Sequence, residues 1–308
     1  METQAGYLDP TCPRCGYDQS GEAATWEKVC PIEGTCPECG HGFGWADLYN
    51  PSRQDVVWSV ESGETRLARL LKTPGMAARM VLPWVYWKRA GVDMPLRIGR
   101  LWSWLVWVTL AFQAIAWPFV FLGLGLITLG NWPPTLGDIG DVFEVLTFAE
   151  LAGLAVDGIG WPIMGVGPDW SGPRFSLYVL NIGAGVVLRF VFGMCVTWCV
   201  VLFAIPATRR LVKLRPAHIA RAALLQLSIL IPLYMMIRVG LLIEHFSFGT
   251  LVRSIIMYVT LGAVFWAVIW WVSALRVGWN IRSWVLVVLG TLAALLGGLV
   301  AIFIEDSL

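Results

Sequence analysis

Five long apolar runs decide what this chain can become. They fall at about residues 101–130, 186–205, 222–243, 255–275 and 284–304, each near the roughly 20 residues that cross ~30 Å of hydrocarbon. A soluble fold has no interior for them. Of 308 residues, 57% are hydrophobic and only 14% charged, against about 25% charged in an ordinary soluble domain. Backbone polar groups in lipid must be paired within the protein, and for runs this long the helix does so. The expectation is an all-α multi-pass membrane domain of about five transmembrane helices. Pro118, Pro206 and Pro232 sit in or beside the runs, where neighbouring helices can satisfy the freed backbone groups.

The charges are segregated, and this gives the chain its organisation. Residues 1–60 carry nine acids and three bases, whereas residues 65–100 carry eight bases and one acid. Between residues 101 and 173 there is no Lys or Arg, but there are six acids. Lys/Arg bias in short loops sets topology. Lys88, Arg89, Arg97 and Arg100 precede the first run; Arg209, Arg210, Lys213, Arg215 and Arg221 follow the second; Arg276 and Arg282 follow the fourth. A five-span path puts all three groups on one side, so the N-terminus is expected inside and the C-terminus outside. The opening residues show no basic n-region or apolar h-region, so the first run is expected to act as an uncleaved signal anchor in the cytoplasmic (inner) membrane. Three segments result: a cysteine-rich head at 1–50, a basic amphipathic juxtamembrane connector at 51–100, and the transmembrane domain at 101–308. An outer loop at 131–175 is expected to hold a short interfacial helix over 141–157.

Thr11-Cys12-Pro13-Arg14-Cys15-Gly16 and Thr35-Cys36-Pro37-Glu38-Cys39-Gly40 are two copies of one hexapeptide, TCPxCG. Cysteines three apart can aim two thiolates at one ion, and the following glycine permits the tight turn. Two such knuckles close a four-thiolate site with no open position for water. Cys12, Cys15, Cys36 and Cys39 are therefore expected to hold one structural Zn2+ per chain in a small β-rich N-terminal zinc ribbon. Cys30 lies outside knuckle spacing and reads as a free or buried thiol, with ligand substitution as the alternative. His41 could also reach a metal. Nucleic acid is a poor partner for this head, because binding it needs a basic face and the head is acidic. A protein partner at the ribbon is the better expectation.

The run CPRCGYDQSGEAATWEKVCPIEGTCPECGHGFGWADLYNP resembles the head of a group of uncharacterised bacterial membrane proteins that join a CxxCGYD…CPECG zinc ribbon to a multi-pass domain. This resemblance covers roughly the first fifty residues; it implies zinc at the same four cysteines and no assigned activity. RLARLLKTPGMAARM followed by five spans more faintly resembles the Yip-family membrane domain, which implies membrane organisation or protein recruitment.

The connector interleaves leucines, methionines and tryptophans with its bases, which predicts a segment lying on anionic inner-leaflet lipids. Trp102, Trp104 and Trp107 would mark the interface belt. Arg189 and Arg238 are the charges well inside apolar runs, and such residues pair, snorkel or line a pathway. Cys195 and Cys199 share a helix face, where packing is the expected role. Glu244-His245 could handle protons, although a histidine at a helix end is ordinarily interfacial. No GxSxG, HExxH, Walker or kinase signature is present, so no catalytic residue and no enzymatic activity is assigned. The expected function is a protein-interaction or membrane-organising scaffold. The alternative is a transporter or channel component using Arg189 and Arg238.

Overall fold

The computed structural model describes residues 10–27, 29–62, 65–129, 190–244 and 249–305. It is mostly helical, with one two-stranded sheet near the N-terminus. Strands β1 (Glu33–Thr35) and β2 (Gly42–Gly44) pair antiparallel, with Gly34 opposite Phe43. The short helices α1 (Ser20–Ala23) and α2 (Trp45–Tyr49) flank them. A Cβ on Gly34 would meet Phe43 and the Trp45 indole at 2.8 Å, so only glycine lets the hairpin close over those rings. Trp45 takes Trp26 edge-on at 4.5 Å and Phe43 at 5.1 Å. This aromatic plug, with Cys12 and Cys36, forms the core among the described residues of the head.

The connector folds into α3 (Arg66–Met80) and α4 (Pro83–Arg89), joined by a tight elbow. Thr65 caps α3 by accepting from the Ala68 amide at 3.1 Å, and Pro83 opens α4 where a missing N–H costs nothing. Four further long or apolar helices follow: α5 (Ile98–Leu129), α6 (Phe190–Phe203), α8 (Pro216–Glu244) and α9 (Gly249–Ser273). The short α7 (Pro206–Val212) links α6 to α8, and α10 (Trp284–Glu305) ends the described chain. A single π-turn, Ala274–Gly278, closes α9, with the Trp279 amide donating back to the Ala274 carbonyl at 2.8 Å.

Three helical segments are long and apolar enough to cross a membrane: Pro216–Leu233, Leu261–Gly278 and Trp284–Ala301. Shorter apolar stretches run Ile98–Phe112 and Phe190–Phe203. The five-span expectation thus meets three spans among the described residues. The first and second expected spans fall on α5 and α6, whose apolar stretches Ile98–Phe112 and Phe190–Phe203 are shorter, and the second begins in residues outside the described set. Arg189, the outer loop at 131–175 with its expected helix, and His245 also lie outside the described residues, as do the side chains of Arg238 and Glu244.

The chain divides into two compact units. One gathers the residues up to Trp104 with Cys195–Leu225 and Val268–Ala294; the other gathers Leu105–Met194, Gln226–Ala267 and Leu295–Leu308. The first unit has an aromatic core. Tyr86 and Trp87 of α4 pack against Trp270 at 5.4 and 5.1 Å; Trp87 meets Trp279 at 5.8 Å, and Trp271 stacks on Trp198 at 5.8 Å. A Cβ on Gly278 would strike the Trp87 ring at 2.6 Å, so α4 lies directly on the π-turn. Within the same core, Glu61 pairs with Arg221 of α8 at 2.7 Å. In the second unit α6 and α10 approach closely: a Cβ on Gly193 would meet the Gly297 carbonyl, and one on Gly298 the Phe190 carbonyl, each at 2.8 Å. Such small-residue contacts are how helices pack where lipid removes the hydrophobic drive between them.

Candidate metal centre

The two TCPxCG copies fold into the same turn. In the first, the Cys12 carbonyl accepts from the Gly16 amide at 3.0 Å, and the Cys12 amide donates to the Tyr17 carbonyl at 2.8 Å. In the second, the Cys36 carbonyl accepts from Gly40 at 2.8 Å, and the Cys36 amide donates to His41 at 2.9 Å. Gly16 and Gly40 stand at φ +83° and +69°, the left-handed region that glycine enters without a Cβ penalty. The duplicated sequence is thus a duplicated knuckle, and the two face each other.

Their four sulfurs lie within 4.8 Å of one another. Cys12 and Cys39 Sγ are 3.7 Å apart, and Cys15 and Cys36 Sγ are 3.6 Å apart. A tetrahedral site with Zn–S bonds of about 2.3 Å requires S···S edges of about 3.8 Å, so the donor set fits an ion of that size and softness. Cys12 and Cys36 are buried and the other two half-buried, with the Trp45 plug behind them. Burial pushes the free Cys12 thiol up to about 11, and the Cys39 thiol upward also. At Cys36 burial pulls the same way, but the Cys39 and Glu38 amides and neighbouring thiols hold it below the ordinary value. A metal must therefore displace protons to bind, and in return it removes a mutual conflict among four crowded sulfurs.

Cys30 is exposed and points its thiol at the Pro31 carbonyl, apart from the cluster. His41 turns away from the sulfurs as well, with Nε2 2.7 Å from Asp93 Oδ1. Cys195 is buried and Cys199 half-buried on α6, distant in sequence from the head.

The sequence did not foretell what grips the ribbon. Residues 212–218, between α7 and the first turn of α8, hold the first knuckle. The Arg215 amide donates to the Arg14 carbonyl at 2.8 Å, and the Arg215 guanidinium donates to the Cys12 carbonyl at 2.5 Å. His218 Nε2 lies 2.8 Å from the Pro13 carbonyl, while Arg14 returns a bond to the Val212 carbonyl at 3.3 Å. Lys213 donates to the Glu38 carbonyl and lies 3.6 Å from its carboxylate. Lys213 adopts φ +46° to end α7, a turn that costs a non-glycine residue of order 1 kcal/mol. Charge explains the match. A zinc ion with four thiolates carries about −2, and the loop that meets it brings the cations Lys213 and Arg215 to the head. The available signal was complementarity between the acidic head and the basic loop, which topology alone had accounted for.

No family model, curated protein or solved structure matches the chain. The resemblances to zinc-ribbon-headed membrane proteins and to the Yip-family domain therefore gain no support from relatives. The four-cysteine cluster stands on its own geometry.

Proposed function

We propose that this is a multi-pass membrane protein that organises other proteins, with a structural zinc ribbon held at the cytoplasmic face of the inner membrane. One observation carries the reading: the four-thiolate cluster is closed, and its first knuckle is fastened to the loop that leads into an apolar helix. A closed site offers no coordination position for substrate. Its fastening makes the ribbon a fixed element of the protein. In this reading Cys12, Cys15, Cys36 and Cys39 hold one Zn2+; the chain crosses five times, N-terminus in and C-terminus out. The absence of a catalytic motif from the sequence also favours a non-enzymatic role. Protein partners would meet the exposed apolar residues of the head, Val29 and Ile32. Anionic inner-leaflet lipids would meet the connector at Lys88 and Arg89, exposed at the end of α4.

The test is affinity capture of crosslinked full-length protein from membranes, beside a Cys36→Ser, Cys39→Ser variant that still inserts. A defined set of membrane-associated partners, recovered with the intact chain and lost with the variant, is the expected result. Partner sets that do not differ would remove the ribbon from the function. Solute flux through liposomes containing only the purified chain would overturn the scaffold in favour of transport. Topology has its own measurement: a reporter fused after Leu308 should be active only outside the cytoplasm.

A further inference from the structure

Helix α3 is amphipathic in an inverted sense. Its inner face is made by Met76 and Met80, both fully buried. Its outer face is Leu67, Leu70, Leu71, Pro74 and Ala78, all exposed, with Leu67 at 67% and Leu71 at 74%. These positions recur at intervals of three and four, so they form one stripe along the helix. The stripe continues around the elbow through Val81, Leu82, Trp84 and Val85, again exposed. A helix covered only by water would carry polar residues there.

Three of the four bases of α3 are turned to other work. Arg69 donates to the Arg100 carbonyl at 3.4 Å, Lys72 to the Ser62 hydroxyl at 2.7 Å, and Arg79 to the Gly75 carbonyl at 2.7 Å. Arg79 also sits over the Trp58 ring at 5.0 Å. None of these three is spent on the stripe. Attachment of the elbow within its unit fixes its depth. Trp87 lies on Gly278, the last residue of one candidate span. Glu61, in the turn before α3, pairs with Arg221 near the start of another. Thr73 of α3 accepts from the Trp104 indole in α5 at 2.8 Å. The elbow is therefore tied to the ends of apolar helices, where hydrocarbon gives way to headgroups, and Trp84 and Trp102 lie exposed at that level as interfacial residues do.

We propose that α3 and the elbow into α4 lie in the plane of the bilayer, with the Leu67–Leu71–Ala78–Leu82 stripe seated among lipid acyl chains. The occupant is lipid, and the drive is apolar burial rather than attraction to acidic headgroups. Exposed Lys88 and Arg89 at the end of α4 add a smaller charge contribution.

The experiment places a photoreactive benzophenone side chain at Leu71, Ala78 or Leu82 of the full chain. The protein is reconstituted in nanodiscs of phosphatidylcholine alone, or with added phosphatidylglycerol, and irradiated. Leu289, exposed on a candidate span, is the lipid-facing reference, and Ile32 of the head is the aqueous one. The expected result is a gain of one phospholipid mass at all three positions in both lipid mixtures, as at Leu289 and unlike Ile32. Adducts at Leu289 but at none of the three positions would overturn the proposal. So would adducts that need phosphatidylglycerol, since those report a charge-driven surface contact. Crosslinks to a second copy of the chain at these positions would assign the stripe to an oligomer interface instead.

Discussion

The carboxylate of Glu61 lies 2.7 Å from Nε of Arg221, and each side chain is 1% exposed. Glu61 does more than pair. Its second oxygen accepts from the Arg97 amide at 3.3 Å, and its carbonyl accepts from the guanidinium groups of Arg97 and Arg100 at 3.1 and 3.2 Å. Arg97 in turn reaches Asp55 at 2.9 Å. One buried acid thus joins the turn before α3, the approach to α5 and the first turns of α8. Tyr86 packs beside this pair, and burial keeps its phenol protonated well above the ordinary value.

Removing either partner should be more harmful than removing both. A charge left alone in such a site typically costs about 3–5 kcal/mol, whereas an apolar replacement of the whole pair is often neutral or better. Glu61→Ala and Arg221→Ala should therefore each lower the thermal midpoint of the detergent-solubilised protein strongly. Glu61→Leu combined with Arg221→Met should recover most of that loss. Single variants that melt like the native protein would show that the pair does not bear on stability.

The clasp on the first knuckle makes a second expectation. Hydrogen bonds from a charged donor contribute about 1.5–3 kcal/mol each, and Arg215 supplies one of them to the Cys12 carbonyl. Arg215→Ala should speed zinc loss to a chelator without changing the stoichiometry of one ion per chain. Gly16→Ala should act similarly, because its Cβ would lie 2.9 Å from Arg215 Nε at a φ of +83°. The measurement is the rate of metal release read with a chromogenic chelator. Equal rates in native and variant proteins would detach the loop from the metal centre.

Metal removal should reach beyond the head. Binding a structural zinc contributes on the order of 10–16 kcal/mol in small zinc domains, and among its described residues the head adds the small Trp45 plug as a core. Stripping the ion should expose the head to protease and, through Arg215, His218 and Lys213, should loosen the 212–218 loop. Limited proteolysis with mass analysis reads both. Cleavage confined to the head would mean that the loop holds its conformation without the ribbon.

Some of this was legible in the residues and some was not, for physical reasons. TCPxCG written twice is a local signal, since each copy carries its own ligands and its own φ-positive glycine. Apolar runs are local too, and the helices at 216–233, 261–278 and 284–301 fall on expected spans. Glu61 and Arg221 left no such trace. Arg221 stood among five bases that topology explained, and Glu61 sat at the boundary between an acidic and a basic block. Their partnership is a long-range fact that one-dimensional charge counting averages away. The connector shows the same limit: its bases and apolar residues pointed to a membrane surface, but spacing could not say that Met76, Met80 and Trp87 turn inward while Leu67 and Leu71 stay open.

Close packing of α6 on α10 gives the last expectation. Gly193 faces Ala301 and the Gly297 carbonyl, and Gly298 faces the Phe190 carbonyl and ring. Neither position has room for a side chain, and each meets a backbone carbonyl at 2.8 Å, which cannot swing aside. Overpacking a well-fitted contact typically costs about 1–3 kcal/mol, and here it would also separate helices that lipid does not push together. Gly193→Val and Gly298→Val should each lower the SDS concentration at which purified protein loses helix-helix contacts. Leu292→Val, on an exposed face of α10, should change little. If both glycine variants resist SDS as well as the Leu292 control, α6 and α10 do not meet through these residues.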